Sequence, residues 1–493
     1  MHAIRLRAAA NMAAPVLVVL TVALFAVAGS AHGSEPDPPG PAPAPAADNP
    51  DEPEAQAARG TAGENAAAEE PAAEPEPSTV ALTDEEIPLA RRSFSEKWQT
   101  FRRATQGLLV WDLFDGRVTV RSHARVMVDG TTGWGDDRYE GVYGVPDDSL
   151  DIRRLSLFAQ GIIDHRMRYS LSFEFGPDAG LGEAFVEGRE EGLDLFGYRI
   201  GQFRLGFFQE PFGLERVMSS YYSSFLERAL PIWTFAPGSN VGYMLFDTAF
   251  DQRMQWSVGF FSFGQGNEAN SSQSSLSLTS RVSGLPVYGE DGRRVLHVGA
   301  SFSTRDPRSG SVRYRSRPEA RFADFLVDTG DIAAGRIQLL GVEALGMAGP
   351  FHVQAEAVMS SLQQTEYGDL DLWGFYVEAG WFITGEHRAY DRELGGFSRM
   401  VPTTEFHGGL GGLFRGRRGG ALEVVGRLSM VDLNDEELRG GELTNLSLGL
   451  NWYWSSTSIV KLNYISSSVE DRGRVNIVLL RYQYRPLPIP GWR

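Results

Sequence analysis

The chain has 493 residues, a formal charge of −17, 42% hydrophobic residues, 56 glycines and no cysteine. The lack of cysteine excludes disulfide frameworks, thiol nucleophiles and cysteine-ligated metal centres. A mean hydropathy of −0.22 excludes a bundle of transmembrane helices. The excess of acidic over basic residues disfavours a nucleic-acid-binding surface.

The negative charge is concentrated in residues 35–86, where fourteen acidic residues and one arginine give a charge of −13. The 407 residues after this stretch contain 43 basic and 49 acidic residues and are therefore only mildly acidic. Among those bases only Lys97 and Lys461 are lysines, and the others are arginines. Codon bias and selection for anion-binding guanidinium groups both explain this usage, and composition does not separate them.

The first 33 residues have the organisation of a secretory signal peptide. Two arginines precede a continuous run of apolar or small residues over 12–28, and small residues follow at Ala31 and Gly33. This order of regions predicts a cleaved signal over residues 1–33. A transmembrane anchor is the alternative, although the run is at the short end for a membrane span.

Residues 34–82 consist mainly of proline, alanine and acidic residues. Such a composition buries too little apolar surface to offset its ordering entropy, so we expect a disordered acidic linker. Thr83 precedes three acidic residues, which indicates a helix N-cap and first turn. We therefore expect a short helix over 83–105, acting as a plug, a coiled-coil seam or a periplasmic helix. Residues 486–493 form a proline-rich tail.

From Leu108 onward, segments of eight to eleven residues alternate between apolar and polar side chains. In 166–175 the odd positions are apolar and the even ones polar, and 445–454 shows the same period of two. Such alternation predicts β-strands with one apolar and one polar face. Further examples cover 375–381, 422–430, 459–465 and 476–484.

The length of these strands favours a membrane barrel over a soluble β-sandwich. Strands of nine to eleven residues with aromatic side chains near their ends are typical of outer-membrane barrels, whose apolar faces contact lipid. Residues 108–485 give room for about sixteen strands, in the size class that leaves an aqueous channel. We therefore predict an all-β transmembrane antiparallel β-barrel over 108–485, placed in the outer membrane of a Gram-negative cell.

Several short stretches, in order along the chain, resemble the phosphate-selective porin O and P family. They are Ile152–Leu155, Gly201–Phe203, Glu210–Glu215, Ser219–Ser220, Phe225–Arg228, Trp381–Tyr390, Gly420–Glu423, Asp432–Leu433 and Gly449–Tyr453. The resemblance implies a sixteen-stranded barrel, usually trimeric, that transports anions. The chain departs from the usual aromatic C-terminus of such barrels, since Tyr484 would close the barrel and the tail follows it.

A porin selects its solutes by the charges that line the narrowest part of its lumen. Counting along the alternation places six basic side chains inward: Arg154, Arg166, Arg168, Arg427, Lys461 and Arg481. These residues are candidates for an anion-attracting wall. Four acidic residues also face inward and would neutralise these bases by forming ion pairs with them: Glu174, Glu343, Glu378 and Glu423.

The segment 210–242 is the best candidate for a constriction loop. It contains Arg216, Glu227 and Arg228 among several aromatic residues. If it folds into the pore, its arginines would line the narrowest point, where guanidinium matches phosphate oxygens as a bidentate fork. The alternative is an extracellular loop packed against a neighbouring subunit, with Glu227 and Arg228 paired locally.

Catalytic and metal-binding motifs are missing from the sequence. It has no His-Glu-x-x-His, Gly-x-Ser-x-Gly or phosphate-loop pattern, so we expect no enzyme activity, no catalytic residue, no metal and no cofactor. Our first hypothesis is a passive outer-membrane porin for small phosphate-like or polyphosphate-like anions, which forms a homotrimer in the membrane lipid. The alternatives are a general, weakly selective diffusion porin and a structural barrel anchor whose N-terminal arm contacts the cell wall.

Overall fold

A computed structural model describes residues 110–114, 117–164, 166–177, 179–188, 194–195, 198–263, 275–307, 310–364, 368–406, 419–435 and 438–485. The predicted signal peptide, acidic linker, short helix and proline-rich tail lie outside these residues. All structural statements below concern the described ranges.

Within those ranges, sixteen long antiparallel strands form the wall of a closed barrel. They are β1 (Val118–Gly135), β2 (Ser149–Ile163), β3 (Met167–Phe175), β4 (Gly180–Gly188), β5 (Gln202–Gln209), β6 (Ser239–Ala249), β7 (Met254–Phe263), β8 (Ser275–Gly289), β9 (Arg294–Asp306), β10 (Arg336–Ala348), β11 (Phe351–Gln363), β12 (Leu370–Phe382), β13 (Ala421–Asp435), β14 (Leu438–Tyr453), β15 (Ser458–Val469) and β16 (Gly473–Tyr484). Each strand pairs with its sequence neighbours, and β1 pairs with β16 from Val126↔Tyr484 to Gly135↔Val475, which closes the barrel. The predicted barrel class and strand number are confirmed.

The remaining elements are short. The helices are α1 (Asp137–Tyr143), α2 (Leu214–Val217) and α3 (Leu230–Phe235), with a 3-10 turn at Glu290–Gly292. A strand at Val110–Leu113 pairs with the beginning of β1. Two-residue pairs join 194–195 to 198–199, 311–312 to 332–333, 315–316 to 327–328 and 390–391 to 396–397. None of the helices in the described part of the chain is long and apolar enough to cross a bilayer.

The alternation of side chains sets which face of each strand meets lipid. On β14, Leu446 and Leu448 are more than half exposed, whereas Asn445 and Ser447 between them are fully buried inside the barrel. Polar residues therefore face the lumen and apolar ones the bilayer, as the period of two predicts. The same pattern holds on β3, where Phe173 is exposed on the outside.

The two ends of the barrel carry different connections. Segments 210–238 and 307–335 leave one end, which we call the loop end, whereas β1 begins and β16 ends at the opposite one, the terminal end. A third long segment, 383–420, connects β12 to β13 at the terminal end. Because a barrel of this size has room inside its wall, these long segments decide how much of the lumen stays open.

The lipid-facing pattern predicts a depth-dependent cost of charge. Leu448→Arg, near the middle of β14, should lower the free energy of unfolding by about 2–4 kcal/mol, because the charge meets the bilayer midplane. Leu276→Arg, at the beginning of β8, should cost only about 0–1 kcal/mol. Equilibrium unfolding in phospholipid vesicles measures both, and equal losses would contradict the assigned depths.

Candidate pore constriction

Segment 210–238, which we call the inward loop, packs inside the barrel instead of extending from it. Phe212, Leu214 and Ile232 of this loop are fully buried. Phe212 and Ile232 belong to a core that includes inward-facing aliphatic side chains of the wall, such as Leu339 and Leu372. Leu214 lies in a separate apolar cluster. Burial of this apolar surface stabilises the folded-in position.

The beginning of α2 is held by a carboxylate on the opposite wall. Glu356 of β11 accepts the backbone N–H groups of Leu214 and Glu215, each at 2.6 Å. These N–H groups lack partners within the helix, so the carboxylate satisfies them. Gly213 has a φ of 71°, and a Cβ there would lie 2.6 Å from Glu356 Oε2. Only glycine therefore permits this approach.

Arg427 of β13 joins two inward segments to the wall. Its Nη2 lies 2.8 Å from Glu215 of the inward loop and 2.7 Å from Glu378 of β12. Its Nη1 lies 3.6 Å from Glu319, which belongs to segment 307–335. Burial raises the pKa of both Glu215 and Glu319, and the Arg427 charge opposes that rise. One guanidinium thus compensates three buried carboxylates.

A second group of charges fixes the other side of the inward loop. Arg481 of β16 makes two hydrogen bonds to Asp129 of β1, at 2.7 and 2.6 Å, and lies 3.2 Å from Glu227 of the loop. Arg153 of β2 reaches the same Glu227 carboxylate at 3.0 Å. Burial pushes the pKa of Glu227 upward, but the Arg153 and Arg481 charges together hold it at about 2. Glu227 is therefore ionised at neutral pH.

The segment from the terminal end enters the lumen as well. Arg388 donates to Glu423 of β13 at 3.2 Å and to the Tyr222 carbonyl of the inward loop at 2.6 Å. Arg281 of β8 donates to the Gly395 carbonyl at 2.9 Å. Segment 383–420, from the terminal end, therefore contacts the inward loop, which comes from the loop end.

The open space lies along one side of the wall. Inward arginines on β2, β3 and β5 keep part of their side chains exposed, with 27% for Arg154, 31% for Arg168 and 21% for Arg204. Arg427, on the opposite side, is fully buried. Partly exposed inward side chains therefore lie between the inward loop and the wall formed by β2–β5, a space that we call the passage.

Two arginines of the inward loop stand out because their hydrogen bonds go to backbone carbonyls. Arg216 donates to the Pro237 carbonyl at 2.7 Å, and Arg228 donates to the carbonyls of Glu215, Arg216 and Met218 at 3.2–3.4 Å. Burial, followed by the Arg228 charge, lowers the pKa of Arg216 to about 9, so it stays charged at neutral pH. Carbonyl oxygens carry no formal charge, so the positive charges of Arg216 and Arg228 are offset through space by nearby carboxylates, among them Glu215.

The structure distributes the basic residues predicted from the sequence over four environments. Arg154 and Arg168 face the passage, paired with Glu174 and Glu187 respectively. Arg427, Arg481 and Lys461 point inward but are buried against the inward segments, and Lys461 donates to the Ser223 carbonyl. Arg166 lies exposed in the turn before β3, because that strand begins at Met167. Arg216 and Arg228 lie in the inward loop.

Sequence reasoning missed Arg153 and Arg204. A bulge in the β1–β2 pairing, between Met127 and Val128, brings Arg153 inward, and a bulge has no signature in the alternation itself. Arg204 alternates with Phe203 and Leu205, so the same count that selected Arg168 could have found it. One alternative from the sequence was a local pair of Glu227 with Arg228. In the structure Glu227 pairs with Arg153 and Arg481 instead.

Comparison with known proteins agrees with the barrel. The family model described as phosphate-selective porin O and P matches residues 126–485. The chain belongs to this family.

Two relatives illustrate the similarity of sequence. Porin O of Pseudomonas aeruginosa is 22% identical over 386 residues, which cover 68% of this chain and 80% of that protein. An uncharacterized protein of Caulobacter vibrioides is 27% identical over 331 residues, covering 64% of this chain and 62% of the relative.

Among solved structures, an anion-selective porin from Comamonas acidovorans matches 75% of this chain and all of its own, with 11% identity and a TM-score of 0.46. The protein is a porin of the Gram-negative outer membrane and not an enzyme.

Arg427 offers a test of what holds the inward segments. Arg427→Gln leaves Glu215, Glu319 and Glu378 without their shared cation, so the free energy of unfolding should fall by about 3–5 kcal/mol. The inward loop should also become sensitive to trypsin in the folded barrel. Arg117→Gln is the control, because its pair with Asp164 is exposed and should contribute only about 0–1 kcal/mol. Equal effects of the two substitutions would refute the role of Arg427.

The pKa of Glu227 predicts a pH dependence. A carboxylate whose pKa is depressed to about 2 on folding stabilises the fold above its ordinary value of 4.5 and loses this contribution as pH falls toward 2. The unfolding free energies of the native protein and Glu227→Gln should therefore differ most above about pH 4.5 and converge near pH 2. A difference in unfolding free energy between the two proteins that does not change with pH would contradict this. Glu290→Gln, which changes an exposed carboxylate, serves as the control.

Proposed function

We propose that this porin conducts small anions, including phosphate-like oxyanions, through the passage between the inward loop and the β2–β5 wall. The observation that carries the proposal is the hydrogen bonding of Arg216 and Arg228, whose donors reach backbone carbonyls. Arg154, across the passage, is joined to the same loop by a hydrogen bond of 3.2 Å to Ser220. Three guanidiniums therefore meet near the loop.

Charge in a narrow, low-dielectric passage acts strongly on passing ions. Field lines focus in such a cleft and raise the local concentration of the oppositely charged ion. A guanidinium also presents its N–H donors in a planar fork that fits two oxygens of a phosphate. An oxyanion would thus exchange hydrogen bonds with water for bonds to Arg154, Arg216 and Arg228 in turn. No energy input or cofactor is part of this mechanism.

A general, weakly selective porin is the second candidate, favoured by the acids on the same wall. Glu174, Glu183 and Glu187 face the passage, and Glu187 pairs with both Arg168 and Arg204. Paired charges contribute little net field, so a passage dominated by them would admit polar solutes of either sign. The homotrimeric assembly remains a prediction from the resemblance. The structural anchor, based on the acidic N-terminal arm, remains a third hypothesis.

Ion selectivity separates the two candidates. In a planar bilayer with a potassium chloride gradient, the native protein should give an anion-selective reversal potential, and added phosphate should reduce the chloride current. Replacing Arg216 and Arg228 together by Gln should lower the chloride-to-potassium permeability ratio by about 3–10-fold, because two positive charges of the inward loop are removed.

The matched control is Arg439→Gln, which removes an exposed arginine at the loop end and should leave the ratio unchanged. A native protein that is non-selective or cation-selective would refute anion conduction and support the general porin. An anion preference that survives the double substitution would refute the assigned residues.

A further inference from the structure

Four phenylalanines lie on the inner face of β4–β7, although the lumen of a porin is normally polar. Residues of the opposite facing on these strands meet lipid, as the exposure of Leu205, Tyr243 and Phe260 shows. The alternation of side chains therefore directs the four rings toward the lumen. We call them the aromatic wall: Phe185, Phe208, Phe246 and Phe261.

The rings of the aromatic wall pack against one another and against glycines of the sheet. The centres of the Phe185 and Phe208 rings are 6.1 Å apart, and those of Phe208 and Phe261 are 5.4 Å apart, both with their planes steeply inclined. A Cβ at Gly259 would lie 2.7 Å from the Phe261 ring, and one at Gly242 would meet the same ring. Glycine at these two positions therefore lets the Phe261 ring lie against the barrel wall.

Two of the four rings keep part of their surface accessible. Phe208 and Phe261 are each 1% exposed, whereas Phe185 and Phe246 are only partly buried. Because both side chains point inward, their exposed parts face the interior of the barrel. Apolar surface that stays exposed next to polar groups is typical of a binding site.

A guanidinium lies on the accessible part of the aromatic wall. The Cζ atom of Arg204 is 4.5 Å from the centre of the Phe185 ring and 5.3 Å from that of the Phe246 ring, within the range of cation–π attraction. Nε and Nη2 of Arg204 donate to Glu187, and its side chain remains 21% exposed. A positive charge and an apolar surface are thus presented to the passage side by side.

The charge next to the aromatic wall is positive. Nη2 of Arg168 lies 2.5 Å from the Glu187 carboxylate, so Arg168 and Arg204 share one carboxylate. Nε of Arg168 is a buried donor without a hydrogen-bond partner among the described residues. The next inward acid on β4, Glu183, is about 13 Å away along the strand and accepts a hydrogen bond from Ser170. A second carboxylate at the two guanidiniums would form charge-assisted hydrogen bonds.

We propose that the aromatic wall, together with Arg168 and Arg204, is a binding site for aromatic carboxylates inside the passage. The ring of the solute packs on the exposed parts of Phe185 and Phe246, and its carboxylate accepts hydrogen bonds from the two guanidiniums. The inference rests on the passage assigned in the proposed function and adds a class of organic anions to the oxyanions proposed there. An inorganic anion has no apolar part and gains nothing from the phenylalanines.

A comparison of benzoate with acetate in the full-length native protein tests the site. The two anions carry the same carboxylate, and only benzoate has a ring. Each is titrated into a planar bilayer experiment in potassium chloride, and the concentration that halves the chloride current is measured. Benzoate should reach this point at about a tenfold lower concentration than acetate, because its ring contacts two phenylalanines.

Substitutions separate the contribution of the rings from that of the charges. Phe185→Ala with Phe246→Ala should reduce the difference between benzoate and acetate to less than about twofold, because the aromatic contacts are lost. Arg204→Gln should raise the half-blocking concentration of both anions, since a charge that they share is removed. The matched control is Phe260→Ala, which removes a ring from the lipid side of β7 and should change neither value. Heat-modifiable migration on gels shows whether each variant is folded.

Equal half-blocking concentrations of benzoate and acetate in the native protein would overturn the proposal without recourse to any variant. A preference for benzoate that survives the double phenylalanine substitution in a folded barrel would overturn it as well. The reversal potential distinguishes this failure from that of the proposed function. An anion-selective channel without a preference for benzoate refutes only the aromatic site, whereas a non-selective channel that prefers benzoate refutes only the anion selectivity.

Discussion

The structure depends on one electrostatic constraint, that charges taken out of water inside the barrel must find a partner. Arg427 satisfies it for Glu215, Glu319 and Glu378 at once. Because an unpaired buried charge is very costly, the inward loop and segment 307–335 cannot move independently of β13. The geometry of the passage therefore follows from a few ion pairs on the far side of the lumen.

The interior is consequently asymmetric. The side facing β10–β13 is packed with aliphatic residues and paired charges, as Leu339 and Arg427 show. The side facing β2–β5 keeps partly exposed arginines, such as Arg154 and Arg168. Substitutions on the packed side should therefore change the stability of the protein. Substitutions on the accessible side, which meets solutes, should change its ion selectivity.

The alternation of side chains was sufficient to predict the barrel and the inward orientation of Arg154 and Arg168, because strand orientation is a local property with a period of two. Arg166 shows the limit of that rule, since strand ends are set by turns, and Arg153 shows the effect of a bulge. The partners of the predicted inward residues could not be found in this way. Glu215 and Arg427 are 212 positions apart, and their contact depends on how the loop folds back.

This separation along the chain also determines the order in which the wall and the inward loop fold. The inward loop follows β5, but its partners lie on β11, β13 and β16, which come much later in the sequence. Bringing together segments so far apart in sequence costs conformational entropy. The contacts that offset this cost form only when the distant strands are in place. The lumen must therefore remain wide while the wall is forming, and narrowing is among the last steps of folding. A barrel whose wall has closed before the inward loop docks would be a wide, unselective hole in the membrane.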